Sequence, residues 1–306
     1  MTIGHKKQIE ILNNFLKKGY IPHAFLFFGP SNIGKTTVAK FFAEKILCLQ
    51  NKNNSCNCLS CESFQKSLHP DFFIIDAETE IKIRDIKEIE SFLSTKPYIS
   101  KNKVVILANA DLMNFFAQNA FLKTLEEPPQ NSTIILTASD INKFLPTVLS
   151  RLLKIKFYLV DDNDIKKSLD LKNLSKEDVN FVFKMAGGRP GKIIELIENK
   201  EKLLKFKRLA KEILNLKNRP LAQRFSYTAG LIKEMDINNT NKNQLFELLE
   251  IWIRIIRYNL VLDFVKDKSL NKKELSALFA MEKVYRLLKM SNLNIKIAFN
   301  YLMLNI

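Results

Sequence analysis

The chain has 306 residues, 46% of them hydrophobic, which is enough for two or three packed domains and excludes a disordered tail or a disulfide-stapled mini-protein. Lys and Arg number 48 against 32 Asp and Glu, a net charge of +16; that balance suits a nucleic-acid partner, but it is spread along a chain rich in Lys, Asn and Ile, as a global coding bias would leave it. The opening MTIGHKKQIEILNN has no apolar run of signal-peptide type. The longest apolar stretch, LFELLEIWIRIIRYNLVLDFV, carries Glu247, Glu250, Arg254, Arg257 and Asp263, so a helix buried in protein, a cytoplasmic location and no membrane partner are expected.

Up to about residue 157, short β-rich runs (HAFLFFG, DFFIID, KVVILAN, STIILTAS) alternate with segments of helical period such as TTVAKFFAEKILCL and IKIRDIKEIESFL. This alternation predicts an α/β domain, a parallel sheet with helices on both faces. From 161 to about 205, the segments DIKKSL, SKEDVNFVFKMAGG and PGKIIELIENK predict a small helical bundle, with Ser175 as an N-cap and Gly187-Gly188 as a stop. From 206 to 306 helical periodicity continues past few breakers, Pro220 and Gly230 among them, and predicts an all-helical third domain. The densest positive charge, EKLLKFKRLAKEILNLKNR, has seven basic residues against two acidic ones. A solvated helix face is the plain reading there, and nucleic acid the alternative.

Between the first predicted strand and the helix after it stands FFGPSNIGKTT. Gly29, four residues, then Gly34, Lys35 and Thr36, with Thr37 behind them, is the spacing of a loop whose backbone N–H groups grip phosphate, with the lysine on the β and γ phosphates and a hydroxyl on magnesium. Such a loop either holds nucleotide or is inherited, kept for structure and empty. Hydrolysis needs a second element, a strand ending in an acidic pair that positions magnesium and the attacking water. In KVVILANAD that place holds Ala108 and Asn109, and Asp111 falls beyond the expected end of the strand. ATP binding without hydrolysis is therefore expected.

All four cysteines, Cys48, Cys56, Cys58 and Cys61, fall within 14 residues. In a reducing compartment such clustering favours a metal over disulfides, and four thiolates suit a structural, tetrahedral zinc; free thiols are the alternative. The gap between Cys56 and Cys58 is one residue where two are usual. His69, in SLHPDFF, is either a stand-in ligand or a local structural residue.

HAFLFFGPSNIGKTTVAKFFAEKILC, the cysteine cluster, SLHPDFFIID, NAFLKTLEEPPQNSTIILTAS and LPTVLSR together resemble the clamp-loader AAA+ proteins of bacterial DNA polymerase III, the delta-prime type most closely. The resemblance covers residues 1 to about 157, extends loosely through AGGRPGKIIEL, and beyond that is one of length and helicity. It implies an AAA+ module over 1–160 with a zinc insertion at 48–61, a helical lid over 161–205 and a helical collar over 206–306. The implied assembly is a hetero-pentamer with gamma/tau and delta subunits that loads the sliding clamp onto primed DNA during replication. In the family's Ser-Arg-Cys motif the arginine reaches into a neighbour's ATP site. Here Ser150-Arg151-Leu152 keeps the arginine and loses the cysteine, so Arg151 is the expected arginine finger, with a surface salt bridge as the alternative.

The competing reading within the family is the ATP-hydrolysing gamma/tau motor. The lost acidic pair, Gly191 standing where the motor has its lid arginine (with Arg189 and Lys192 close by), and the expected lack of tau's long extension favour delta-prime. A small-molecule P-loop kinase fits poorly, because no cluster of arginines marks a substrate pocket and the helical remainder would be unexplained.

Overall fold

The computed structural model describes residues 2–50, 56–171, 174–237, 242–267, 271–290 and 294–306. Residues 51–55 of the expected insertion lie outside them. The chain divides into two compact units, residues 1–170 with 188–191, and residues 171–187 with 192–306.

The first unit runs α1 (Lys6–Lys18), β1 (Ala24–Phe28), α2 (Lys35–Leu47), α3 (Leu59–Gln65), β2 (Phe72–Asp76), α4 (Ile83–Ser94), β3 (Lys103–Ala108), α5 (Phe115–Glu126), β4 (Ser132–Ala138), α6 (Pro146–Leu149), β5 (Leu153–Lys156) and α7 (Asp162–Ser168). The five strands form one sheet in the order β2-β3-β4-β1-β5, and every pairing is parallel. Its middle strands read as unbroken apolar runs because helices cover both faces. Alternate side chains of one strand go to opposite cores. Phe25, Phe27, Val104 and Ile106 pack with Val38, Phe42 and Ile46 of α2. Leu26, Val105 and Leu107 pack on the other side with residues of α4, α5 and α6 such as Ile86, Phe121 and Val148. The α/β expectation with a parallel sheet is borne out. The strand that sequence reading missed is β5, whose LKIK exposes three of its four residues and buries only Ile155, as an edge strand allows.

The second unit is helical: α8 (Lys176–Ala186), most of α9 (Pro190–Glu198), α10 (Lys200–Lys217), α11 (Leu221–Ile237), α12 (Lys242–Asp267), α13 (Lys272–Met290) and α14 (Ile295–Asn305). Ser175 caps α8 by accepting from the Asp178 N–H, and Gly187 ends it in the left-handed region. Helix α10 passes through residue 205 as one element. At the centre of the unit Trp252 is fully buried. Its indole N–H donates to the Leu209 carbonyl at 3.2 Å, and Phe299 meets it edge to face. The charges that interrupt α12 are used inside the protein: Arg254 donates to the Met185 carbonyl and Glu247 pairs with Lys205 at 2.6 Å. No helix among the described residues is long and apolar enough to cross a membrane.

The burial of α2 on the sheet sets an expected stability effect. Phe42 is fully buried, with its ring edge-on to Phe25 at 5.4 Å. Phe42→Ala is expected to cost about 3–5 kcal/mol, read from the denaturant midpoint of the full chain; a loss below about 1 kcal/mol would show that α2 is not anchored there.

Candidate functional site

The phosphate loop joins the end of β1 to the start of α2, at the carboxyl edge of the sheet, where α/β folds place their ligands. Gly29 has φ 148°, and a Cβ there would lie 2.3 Å from the Phe157 carbonyl oxygen, so the backbone leading out of β5 excludes any side chain. Gly34 is the left-handed N-cap of α2, which turns the first N–H groups of the helix toward the cavity. That cavity, 300 Å³ in volume, is lined by Ser31, Asn32, Gly34, Lys35, Thr36 and Thr37 of the loop together with Asp76, Asn109, Thr137, Ser139 and Gly191. The loop is braced from behind, because the His5 ring donates from Nε2 to the Ile33 carbonyl at 2.7 Å and rests edge-on against Phe157.

Lys35 is only 6% exposed. Its ammonium donates to the carbonyls of Gly29 and Pro30 at 2.8 and 2.7 Å. Burial is the chief cause that brings it down to about 8; Asp111 pulls it back up and Arg189 pushes it further down. A cation therefore stands near the loop at 189, close to the place where sequence comparison looked for one. Position 191 is tight for a side chain: the Gly191 N–H donates to the Asn32 carbonyl at 2.9 Å, and a Cβ would lie 3.0 Å from that oxygen.

The end of β3 is built for packing. Ala108 is fully buried. Asn109 spends its side-chain amide on the Ala77 carbonyl at 2.9 Å. Asp111 sits past the strand in a short 3₁₀ turn, where it accepts the Ser139 N–H at 3.3 Å and pairs with Lys143 at 3.6 Å. Sequence reading missed Asp76. It ends β2 in register with Ala108 and lines the cavity. The available signal was the acidic residue closing DFFIID, on the strand next to the one that was searched.

Arg151 follows α6, whose first residue is Pro146 and whose C-cap is Ser150, and it leads into the edge strand β5. Its guanidinium donates to Glu126 Oε1 at 2.6 Å and to the Thr147 carbonyl at 2.7 Å, with 34% of the side chain exposed. The surface ion pair of the alternative reading is thus present in this chain. Leu152, where the family motif has cysteine, is buried in the sheet core.

The four cysteines converge. Cys48 leaves α2 in an extended conformation, Cys58 is the N-cap of α3, and all four Sγ atoms lie within 4.8 Å of one another. A tetrahedral zinc with Zn–S bonds of about 2.3 Å spaces its sulfurs about 3.8 Å apart, so the set fits. The single-residue gap between Cys56 and Cys58 does not prevent convergence. Burial leads in pushing the Cys61 thiol far up, and hydrogen bonds from Cys48 and Cys58 add to it. Burial opposes the Cys58 thiolate too, but backbone groups of Cys61 and Leu49 outweigh it and bring that thiol to about 6. Four thiolates this close need a compensating cation. His69 does not join them, since its two ring nitrogens are occupied by Ser60, Ser100 and the Asp71 N–H.

The basic stretch of α10 is largely neutralised by carboxylates from other segments. Lys202 pairs with Glu195, Lys205 with Glu247, Lys207 with Asp178 and Lys217 with Glu274. This is the plain reading of that stretch, an ion-paired helix face.

The convergence of the sulfurs gives a direct expectation: protein purified without chelator should contain one zinc per chain by elemental analysis. Stripping the metal should raise hydrogen exchange in α3 and leave the five-stranded sheet protected. Metal-free protein from such a preparation would overturn the zinc assignment.

Among known proteins, a family model described as DNA polymerase III, delta subunit, matches residues 4–161, just over half of the 306 residues. The chain is 32% identical over 224 residues to DNA polymerase III subunit gamma of Buchnera aphidicola subsp. Schizaphis graminum, an alignment covering 71% of this chain and 60% of that protein. It is 34% identical over 134 residues to DNA polymerase III subunit delta' of Pseudomonas aeruginosa, covering 42% and 41%. The chain thus spans less than two thirds of the length of these relatives. A gamma subunit-related protein of Thermotoga maritima superposes over 97% of this chain and 98% of its own, with a TM-score of 0.46 and 18% identity, a score too low to support finer comparison. The family match over more than half of the chain, with the gamma relative covering 71% of it at 32% identity, shows that the chain belongs to the clamp-loader family of DNA polymerase III subunits.

Proposed function

We propose that this chain is a delta-prime-like subunit of the DNA polymerase III clamp loader, one that keeps a phosphate loop but does not hydrolyse ATP itself. The observation that carries this reading is the end of β3. Where hydrolysis needs two carboxylates, the chain has a buried Ala108 and an Asn109 tied to a neighbouring backbone. Asp111, the carboxylate nearest in sequence, is engaged with Ser139 and Lys143. In this reading Gly29, Gly34, Lys35, Thr36 and Thr37 hold nucleotide without turnover, and Cys48, Cys56, Cys58 and Cys61 hold a structural zinc. The helices through α9 serve as a lid and those from α10 on as a collar, the expected boundary at 205 falling inside α10. The partners are gamma/tau and delta subunits in a cytoplasmic hetero-pentamer, and sliding clamp and primed DNA meet the chain through that ring.

Arg151 is this chain's contribution to chemistry, as a finger supplied in trans to a neighbour's ATP site. Its position fits: a short proline-started helix delivers it to the edge of the sheet, and the guanidinium is held by Glu126 and the Thr147 carbonyl. A planar, permanently charged fork is suited to the charge that builds on a transferring γ-phosphate. The pair with Glu126 is worth only about 0–1 kcal/mol at such exposure, so exchange for a phosphate is cheap. The second reading, a gamma/tau-type motor, is favoured by the intact loop, by Asp76 on the cavity wall and by the gamma relative.

Three outcomes test this proposal. The isolated chain should show no magnesium-dependent phosphate release; turnover abolished by Lys35→Ala would establish the motor. In the assembled complex, Arg151→Ala should lower ATP turnover at the adjoining site by roughly 10³ or more, with Arg151→Lys rescuing poorly; wild-type clamp loading by the assembled Arg151→Ala complex would reduce Arg151 to its salt bridge. Lys35 adds a pH dependence with a definite sign. The protonated form pairs with phosphate, and the free chain loses that proton above about 8, so affinity for a non-hydrolysable ATP analogue should fall with rising pH, approaching about tenfold per unit. Calorimetric titration from about pH 7 to 9.5 reads this slope; a flat profile would take Lys35 off the phosphate.

A further inference from the structure

We infer that the segment His69-Pro70-Asp71 is the positioning element of the cysteine cluster, a buried hydrogen-bond bracket that fixes the backbone beside Cys48 and Cys61 and so sets how tightly the four thiolates hold a metal. The inference rests on the zinc reading above.

All four polar members of the bracket are buried: His69 is 4% exposed, Asp71 0%, Ser60 1% and Ser100 9%. His69 Nδ1 accepts the Asp71 N–H at 3.0 Å, so Nε2 carries the ring hydrogen. Nε2 faces the hydroxyls of Ser60 at 2.8 Å and Ser100 at 3.1 Å and donates to them. Each hydroxyl in turn donates its own hydrogen to one oxygen, the Leu47 carbonyl, at 2.7 and 2.8 Å. That carbonyl belongs to the last residue of α2, one of the helix-end acceptors with no partner inside the helix.

Leu47 is the residue before Cys48, and Ser60 is the residue before Cys61. The two ligands that come from helices are therefore tied together through Leu47, Ser60 and a single imidazole. The third arm comes from Asp71, whose carboxylate accepts the N–H groups of Tyr98, Ile99 and Ser100 at 2.6, 2.7 and 2.8 Å. It fixes the segment that carries Ser100. Asp71 is itself anchored to the sheet, since its carbonyl accepts the Val104 N–H at 2.9 Å. Every ring and hydroxyl hydrogen in the network has an acceptor, so the network does not relax piecemeal when one member is lost. Partners behind metal ligands typically change metal affinity by 10–100-fold when removed.

The test is cobalt titration of the full chain after the native metal is stripped, read by thiolate-to-cobalt absorption and competed with zinc. Wild type should bind one cobalt with a tetrahedral four-thiolate spectrum. His69→Ala should bind about tenfold or more weakly, with altered ligand-field bands. His69→Gln, whose side-chain amide donates at the reach of Nε2, should recover part of the affinity. Gln118→Ala removes a buried anchor on the other face of the sheet, where Gln118 donates to the Met113 and Lys143 carbonyls; it should bind cobalt as wild type does even if its melting temperature falls. Should His69→Ala fail to fold, Ser100→Ala carries the same expectation from the far side of the bracket. Wild-type affinity and spectrum in His69→Ala or Ser100→Ala, or an equal loss in Gln118→Ala, overturns the inference. A wild-type chain that takes up no cobalt overturns the zinc reading beneath it.

Discussion

Both candidate sites depend on one packing interaction, the burial of α2 against the sheet through Val38, Phe42 and Ile46. The helix has 13 residues, about 20 Å at 1.5 Å per residue, and it is too short to be stable alone. Its position is imposed by the phenylalanines of β1 beneath it. The phosphate loop hangs from its N-terminus and the cysteine cluster from its C-terminus, so one apolar contact surface fixes both. The two ends also use helix chemistry in opposite ways. At the start, free N–H groups and the positive end of the dipole face a cavity suited to anions. At the end, the unpartnered Leu47 carbonyl is capped by the hydroxyls of Ser60 and Ser100.

Much of this was legible in the sequence, and the reasons differ from element to element. The three inner strands were visible because burial on both faces leaves continuous apolar runs bounded by turn residues, and the edge strand β2 because its half-buried FFII is as apolar as they are. The phosphate loop was visible because its spacing is dictated by the shape of a phosphate group, and the cysteines because thiols cluster for few reasons. What stayed hidden depended on partners far away in the chain. β5 looks like a charged loop, since an edge strand needs only one buried side chain, Ile155. Asp76 escaped because parallel order sets it beside Ala108, and strand order is not written locally. His69 reads either as a stand-in ligand or as a local structural residue, and only partners such as Ser100, from a loop after α4, decide for the second.

The basic run of α10 shows how far a local charge count depends on the fold. Read along the sequence, α10 is a block of lysines. In the folded chain its lysines meet Asp178, Glu195, Glu247 and Glu274, which come from α8, α9, α12 and α13. A basic run counted in one dimension therefore overstates the positive field in three. At the surface such pairs contribute little stability individually. Their effect is on which surfaces remain positive, and the face of α10 is largely removed from that set.

The edge of the sheet near the phosphate loop shows a common pattern of substitution. Groups that line the phosphate-loop cavity are satisfied by the chain's own backbone. Lys35 holds Gly29 and Pro30, Asn109 holds Ala77, and Gly191 holds Asn32. The neutral bonds are each a net gain of about 0.5–1.5 kcal/mol and those from the Lys35 ammonium about 1.5–3 kcal/mol, and each must be exchanged or bypassed when a ligand arrives. A loop whose lysine is already bonded to carbonyls at both ends of its reach starts with that cost against binding. The same bonds stiffen the loop between β1 and α2, and a stiff loop keeps β5, and with it Arg151, in a fixed relation to the sheet. Under the proposed delta-prime reading, the bonds that weigh against nucleotide at this loop would leave Arg151, supplied to another subunit, as the chain's part in the chemistry.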